Sequence, residues 1–307
     1  MATIEVRGLA KRFGQVVAVD GMSFDVLPGR VTGFLGPNGA GKTTTLRMIL
    51  GLVRPTAGSA LIDGRPYRQL SHPARTVGAV LEASGFHPGR TARNHLRVVA
   101  CTAGLPSHRA EEVLAMVGLT EVADRTAGAC SLGMRQRLEL ASAMLGDPQV
   151  LVLDEPANGL DPQGISWLRG FLRWYAAQGK AVLVSSHLLA EMGQTVDDVV
   201  IVASGRIVVQ APLAEVTRHL SPSVRLRSPE APRLAAVAAA AGIRVRWQAA
   251  DLLLAEDTSP EVLGPLLAAH QIVLHAMEPI GGTLEDAFLA LTAPVAASGP
   301  ASVPGAP

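Results

Sequence analysis

Apolar and polar residues roughly alternate over residues 3–7 and again over 16–26, the period of strands with one buried face, and Pro28-Gly29 closes the second run as a turn. Antiparallel strands are predicted at the start of the chain. Val31-Thr32-Gly33-Phe34-Leu35 is a short apolar run ending in glycines, and helical character follows over 43–50. That order is strand, glycine-rich loop, helix. Buried strands recur at 150–153 and 181–184, separated by a helical stretch at 164–177. Alternation of this kind predicts a largely parallel sheet covered on both faces. Residues 88–125, with helical patterns at 91–103 and 107–117, interrupt the sheet and predict an inserted helical subdomain at about 86–130.

Beyond Ser221-Pro222 the pattern changes. It parses as strand 223–228, helix 230–241, strands 243–249 and 251–256, helix 259–270 and strand 271–277, which is the β-α-β-β-α-β order of a ferredoxin-like unit. A last helix is expected at 283–291, and the Pro-, Ala-, Gly- and Ser-rich tail 293–307 is expected to be disordered. The predicted organisation is therefore a mixed α/β domain over 1–220, a small α+β domain over 221–292, and the tail. Arg225, Arg227, Arg244 and Arg246 alternate along the second domain's strands. They read first as one solvated side of a sheet; a basic face on a small-ligand or dimerisation module is the alternative.

Composition removes several function classes. Lys+Arg 27 against Asp+Glu 26 leaves a net charge of +1, far from the basic stripe of a nucleic-acid binder. Two cysteines, Cys101 and Cys130, are too few for a disulfide framework and fit a reducing compartment. The first seven residues mix charges and lack the apolar core of a secretory signal, so no export of the chain is expected. Mean hydropathy is high, at +0.28. The longest apolar stretches still fall well short of the roughly 20 residues that span a bilayer.

The chemistry starts at Gly36-Pro37-Asn38-Gly39-Ala40-Gly41-Lys42-Thr43-Thr44, which matches the G-x-x-x-x-G-K-[ST] phosphate loop and sits between the predicted strand and helix. Its glycines let backbone N–H groups turn inward around an anion, and the helix dipole adds positive potential. Lys42 is placed to reach β/γ-phosphates and the Thr43 hydroxyl to hold Mg²⁺. A second acidic site follows a buried strand: Asp154 is placed to support Mg²⁺, and Glu155 to orient or deprotonate an attacking water. A helix N-cap for Asp154 and a solvated charge for Glu155 are the plainer alternatives.

Over roughly residues 3–217 these motifs, in this order, resemble the nucleotide-binding subunits of ABC transporters. In that family a segment commonly written Leu-Ser-Gly-Gly-Gln completes the ATP site across a dimer interface. The matching segment here is Cys130-Ser131-Leu132-Gly133-Met134, with Leu132 in place of the first glycine and Met134 in place of the glutamine. The resemblance implies that Ser131 and Gly133 contact a partner's nucleotide, while Ser131 also caps a helix. It implies that Asp161, in Gly159-Leu160-Asp161, touches the opposite subunit, and that His187 acts as a γ-phosphate switch. Phe13 stands where the family stacks an aromatic ring on adenine; a core strand phenylalanine is the alternative. Glu82 stands where a glutamine is usual and, as a side-chain oxygen ligand of Mg²⁺, would add charge beside Asp154 and Glu155.

The implied function is ATP hydrolysis at a head-to-tail homodimer interface, with ATP and Mg²⁺. It would be coupled to a separate integral-membrane permease, with this chain on the cytoplasmic face of the membrane. Glu82, the Ser-Leu-Gly-Met segment and the closing Thr283-Leu284-Glu285-Asp286-Ala287-Phe288-Leu289 resemble the exporter branch associated with antibiotic and lantibiotic self-protection. Sodium or other-substrate transport, and a cytosolic ABC ATPase without a permease, are the alternatives. A stand-alone P-loop kinase would not need the later motifs in this order.

Overall fold

The computed structural model describes residues 3–81, 85–188, 192–218 and 223–280. The chain separates into two compact units, Met1–Pro212 and Leu213–Pro307. In chain order the first runs β1 (Ile4–Phe13), β2 (Val16–Val26), β3 (Val31–Leu35), α1 (Lys42–Ile49), β4 (Ala57–Ile62), α2 (Pro73–Thr76), β5 (Val77–Val80), α3 (Ala92–Thr102) and α4 (Arg109–Met116). It continues through α5 (Leu132–Met144), β6 (Val150–Asp154), α6 (Pro162–Ala177), β7 (Ala181–Ser186), β8 (Asp198–Ala203) and β9 (Arg206–Pro212).

Two sheets build this unit. The larger has the order β5-β6-β7-β3-β8-β9, parallel except for β9, and the smaller has the antiparallel order β2-β1-β4. Every residue of β3, β6 and β7 is buried, which is why these strands read as unbroken apolar runs rather than alternations. The sheets meet through a core that includes Phe24 on β2 and Phe34 on β3, stacked with ring centroids 5.2 Å apart. Because β3 lies between β7 and β8, its carboxyl end opens beside that of β7. That is where a parallel sheet places its ligands.

Between 86 and 130 the described residues add helices and short turns but no strand beyond an isolated bridge between Thr91 and Thr126. Thr91 caps α3, its hydroxyl accepting from the Asn94 amide at 3.2 Å. Arg93 ties α3 to Glu111 on α4 and to Asp124. The helical layer extends past the expected limit, because α5 packs on α3, α4 and β5.

Four strands escape the hydrophobic reading. β4 is largely exposed, β5 has four residues, and β8 and β9 form a hairpin around Ser204 and Gly205. In that hairpin the run Asp198-Val-Val-Ile-Val-Ala203 is closed by a two-residue turn, with φ 48° at Ser204 and 79° at Gly205.

The second unit contains α7 (Leu213–Arg218), β10 (Ser223–Arg227), α8 (Ala231–Ala240), β11 (Val245–Ala249), β12 (Leu252–Ala255), α9 (Pro260–Ala269) and β13 (Ala276–Ile280). Its four-stranded antiparallel sheet has the order β11-β12-β10-β13, the 4-1-3-2 arrangement of a ferredoxin-like unit. One strand needs correction. The run Ile272-Val273-Leu274 reads as the start of the final strand, but Gln271 turns the chain with φ 52° and Ile272 returns to the core. Pairing with β10 then begins at Ala276. The alternating arginines face acids: Arg225 lies near Glu278 (3.7 Å), Arg227 near Asp251 (3.5 Å), Arg246 near Glu256 (3.6 Å), and Arg244 pairs with Asp257. They form a charge-compensated, solvated side rather than a basic face. The helix expected at 283–291 and the tail at 293–307 lie outside the described residues. No described helix is long and apolar enough to cross a membrane.

Candidate active site

The loop from Gly36 to Gly41 joins the end of β3 to α1. It passes so close to its neighbours that a Cβ on Gly36 would fall 2.2 Å from the Val202 carbonyl oxygen. One on Gly41, at φ +96°, would fall 2.4 Å from that of Ala18. Only glycine fits either position. Pro37, Asn38 and Gly39 are exposed, Ala40 is buried, and Thr43 and Thr44 are half-buried in the first turn of α1. Gly41 caps that helix without a side-chain hydrogen bond, and the first turn carries no acidic residue. Its amides are thus left to an external anion.

Lys42 is buried, and its ammonium donates to the carbonyl oxygens of Gly36 at 2.7 Å and Pro37 at 3.3 Å. It also lies 3.2 Å from Glu155 Oε1. The other carboxylate oxygen of Glu155, Oε2, lies 2.8 Å from His187 Nδ1 and accepts from the His187 amide at 3.3 Å. Glu155 therefore bridges the lysine and the histidine. Its own backbone has φ 50°, unusual for a side chain this large. The Glu155 amide is held by the Ser185 carbonyl (3.2 Å) and hydroxyl (3.0 Å). Strain of this kind costs on the order of 1–3 kcal/mol and persists where the surroundings over-determine it. Here it turns the carboxylate back over the loop.

Asp154 ends β6 and is buried, with Oδ1 accepting from the Ser185 hydroxyl at 2.5 Å. Its Oδ2 is buried and has no hydrogen-bond partner among the described residues. A buried carboxylate oxygen left unsatisfied beside an anion cradle fits a divalent cation or a water in its shell. The N-cap alternative for Asp154 fails, since it closes a strand and its oxygens bond no helix amide. Glu155 is no solvated charge either, at 11 % side-chain exposure. Ser185, which organises both acids, carries no signal in the sequence beyond its place at the carboxyl end of a buried strand.

Other predicted residues sit elsewhere. Ser131 caps α5 through its hydroxyl, which accepts from the Met134 amide at 3.2 Å, and Gly133 lies in that helix's first turn. Asp161 caps α6, accepting from the Gly164 amide at 2.7 Å. None of the hydrogen bonds made by Lys42, Asp154, Glu155 or His187 reaches these residues. Phe13 is 51 % exposed at the end of β1, with the Lys11 ammonium 4.9 Å from its ring centroid, so it is not a core phenylalanine. Glu82 lies outside the described residues.

A family model described as ABC transporter matches residues 19–158. The bacitracin transport ATP-binding protein of Bacillus licheniformis is 41 % identical over 219 residues, covering 70 % of this chain and 72 % of that protein. The chain belongs to the ABC transporter ATP-binding family. It is an ATP-binding subunit and an ATPase of that family. The Nod factor export ATP-binding protein I of Ralstonia nicotianae is 36 % identical over 301 residues, covering 94 % of this chain and 93 % of that protein.

Among solved structures, one described as the ATP binding subunit of an ABC transporter superposes with a TM-score of 0.63 at 28 % identity. It covers 70 % of this ABC subunit and 92 % of its own chain. A nucleotide-free ATP-binding cassette superposes with a TM-score of 0.62 at 22 % identity, covering 69 % and 92 %, and supports the fold. Residues 222–285 of the ABC subunit match a second family model, described as a domain of unknown function.

Proposed function

We propose that this subunit hydrolyses ATP at two equivalent sites of a head-to-tail homodimer and so drives export of a drug, antibiotic or peptide through a separate integral-membrane permease. The observation that carries the catalytic half is the Lys42–Glu155–His187 bridge, half-buried at its histidine end, beside a glycine loop with no side-chain cap. The relatives named for bacitracin transport and Nod factor export support the direction of transport. The subunit would sit on the cytoplasmic face of the membrane, held there by the permease.

In this reading the loop Gly36 to Thr44 binds the phosphates of ATP, Phe13 stacks on adenine, and Lys42 exchanges Glu155 for a γ-phosphate oxygen. Thr43 and Asp154 would hold Mg²⁺, which when bound neutralises charge on the phosphates; Glu82 is a further oxygen candidate on sequence alone. Once free of Lys42, Glu155 accepts a proton from the attacking water or orients it. His187 holds Glu155 through Nδ1–H, which leaves Nε2 for a phosphate oxygen when the ring is protonated. Ser131 and Gly133 of each chain face the nucleotide of the other, Asp161 touches the opposite subunit, and two-fold symmetry makes the two sites equivalent.

The test is co-purification. The subunit should be recovered from membranes with an integral-membrane partner and released by neither salt nor chelator alone, and compounds carried by that partner should stimulate its ATPase rate. A chain that stays in the soluble fraction, with a rate no compound alters in the membrane preparation, would overturn the transport reading.

A further inference from the structure

The unusual residue of the Ser131 segment, Leu132, touches a second motif of its own chain. A Cβ placed on Gly159 would lie 2.6 Å from Leu132 Cδ2, so the leucine methyl occupies the space that any side chain at 159 would need. One position on, a Cβ on Gly133 would lie 3.6 Å from Leu160 Cδ2. One turn further along α5, Gln136 Nε2 donates to the Asn158 carbonyl at 2.7 Å. The start of α5 is therefore bound to the 158–160 segment by an apolar contact and a hydrogen bond. Leu132 is 46 % exposed, so it contributes little to the core.

That segment is tied in turn to the catalytic carboxylate's backbone. The Asn158 amide donates to the Glu155 carbonyl at 3.1 Å, and the Leu160 amide to that of Ala157 at 3.1 Å. The next residue, Asp161, caps α6. A continuous set of contacts thus runs from Glu155, which acts on the chain's own nucleotide, through Asn158 and Gln136 to the helix capped by Ser131.

We propose that Leu132 and Gln136 are positioning residues: they clasp the start of α5 to residues 158–160, so that Ser131 and the Glu155 loop move as one body. This inference rests on the paired-site reading above, in which Ser131 serves the partner's nucleotide. The clasp then makes the state of one ATP site felt at the other. A glycine at position 132, as the family commonly has, lacks the methyl groups that reach Gly159.

The experiment has two arms, using the full chain, Leu132→Gly, Gln136→Ala and the conservative Leu132→Met. In nucleotide-free protein at concentrations where it is monomeric, amide hydrogen exchange at residues 158–160 should be about tenfold faster in Leu132→Gly and Gln136→Ala. It should be near wild type in Leu132→Met, while amides of β10 and β12 stay unchanged. In ATPase assays the first two variants should bring the Hill coefficient for ATP down toward about 1, and Leu132→Met should restore it. Unchanged exchange at 158–160 overturns the clasp. Faster exchange with an unaltered Hill coefficient overturns its role between sites. A wild-type chain that neither pairs nor shows cooperativity sinks the paired-site reading instead, and the exchange arm still decides whether the clasp exists.

Discussion

Lys42 and Glu155 meet as a buried ion pair, Nζ 3.2 Å from Oε1, with side chains 5 % and 11 % exposed. Each charge compensates the other where water cannot. In the proposed mechanism the lysine that would take phosphate and the carboxylate that would act on water thus hold one another.

Removing the lysine alone should therefore be costly. Lys42→Ala leaves the Glu155 carboxylate buried beside His187 without its strongest partner, and folding stability should fall by about 3 kcal/mol. Most of that loss should return in Lys42→Ala/Glu155→Gln, because the second change removes the stranded charge. Urea unfolding of nucleotide-free protein measures both, and simple additivity of the two changes would show that the pair contributes no coupling.

Glu155→Gln keeps the size of the side chain and removes its basicity. Steady-state ATP turnover should drop by about 10²-fold or more, the usual contribution of a positioned base. ATP affinity should hold or improve, since Lys42 is released to the phosphates. A phosphate-release assay beside an equilibrium ATP titration separates the two effects.

Ser131 caps α5, and in the proposed paired site it would also face the partner's nucleotide; a pair of variants divides the two roles. Ser131→Ala should lose the cap and about 1 kcal/mol of stability along with ATPase activity. Ser131→Asp should keep the cap, since aspartate accepts the same amide, and still lose activity because its charge opposes a phosphate. Thermal melting and turnover of the two proteins make the comparison.

A pH effect should come from Glu139 on α5. Burial pushes its carboxyl pKa up from the usual 4.5, against a smaller opposing pull from Arg135. The folded state then holds the proton more tightly than the unfolded chain does. This group's contribution to stability falls as pH rises from about 4.5 to the folded pKa, and stays unfavourable above it. Glu139→Gln should raise the melting temperature at pH 7–8, and the gain should vanish near pH 4. Equal gains at both pH values would place its origin elsewhere than in titration.

How much was legible depends on how locally each feature is determined. The glycine loop, Asp154-Glu155 and His187 stand in short strings whose neighbours dictate their conformation, and they were found at the ends of the predicted strands. The long-range relations were not. Ser185 holds Asp154 and the Glu155 amide across 30 and more residues. The bridging of Glu155 between Lys42 and His187 depends on β3, β6 and β7 lying side by side. Strands β4 and β9 gave weak signals because they are partly exposed and alternate poorly. The final strand was displaced because Ile272 and Leu274 of the apolar run at 272–274 pack on the core from a loop, with Val273 exposed between them.

The most direct measurement of the paired site is the solution mass of Glu155→Gln with and without ATP, by sedimentation or native mass spectrometry. With ATP and Mg²⁺ it should shift from the 31.9 kDa chain to a species of twice that mass carrying one nucleotide per chain, and adding Ser131→Asp should abolish the shift. A variant that binds ATP fully and remains at 31.9 kDa would contradict it.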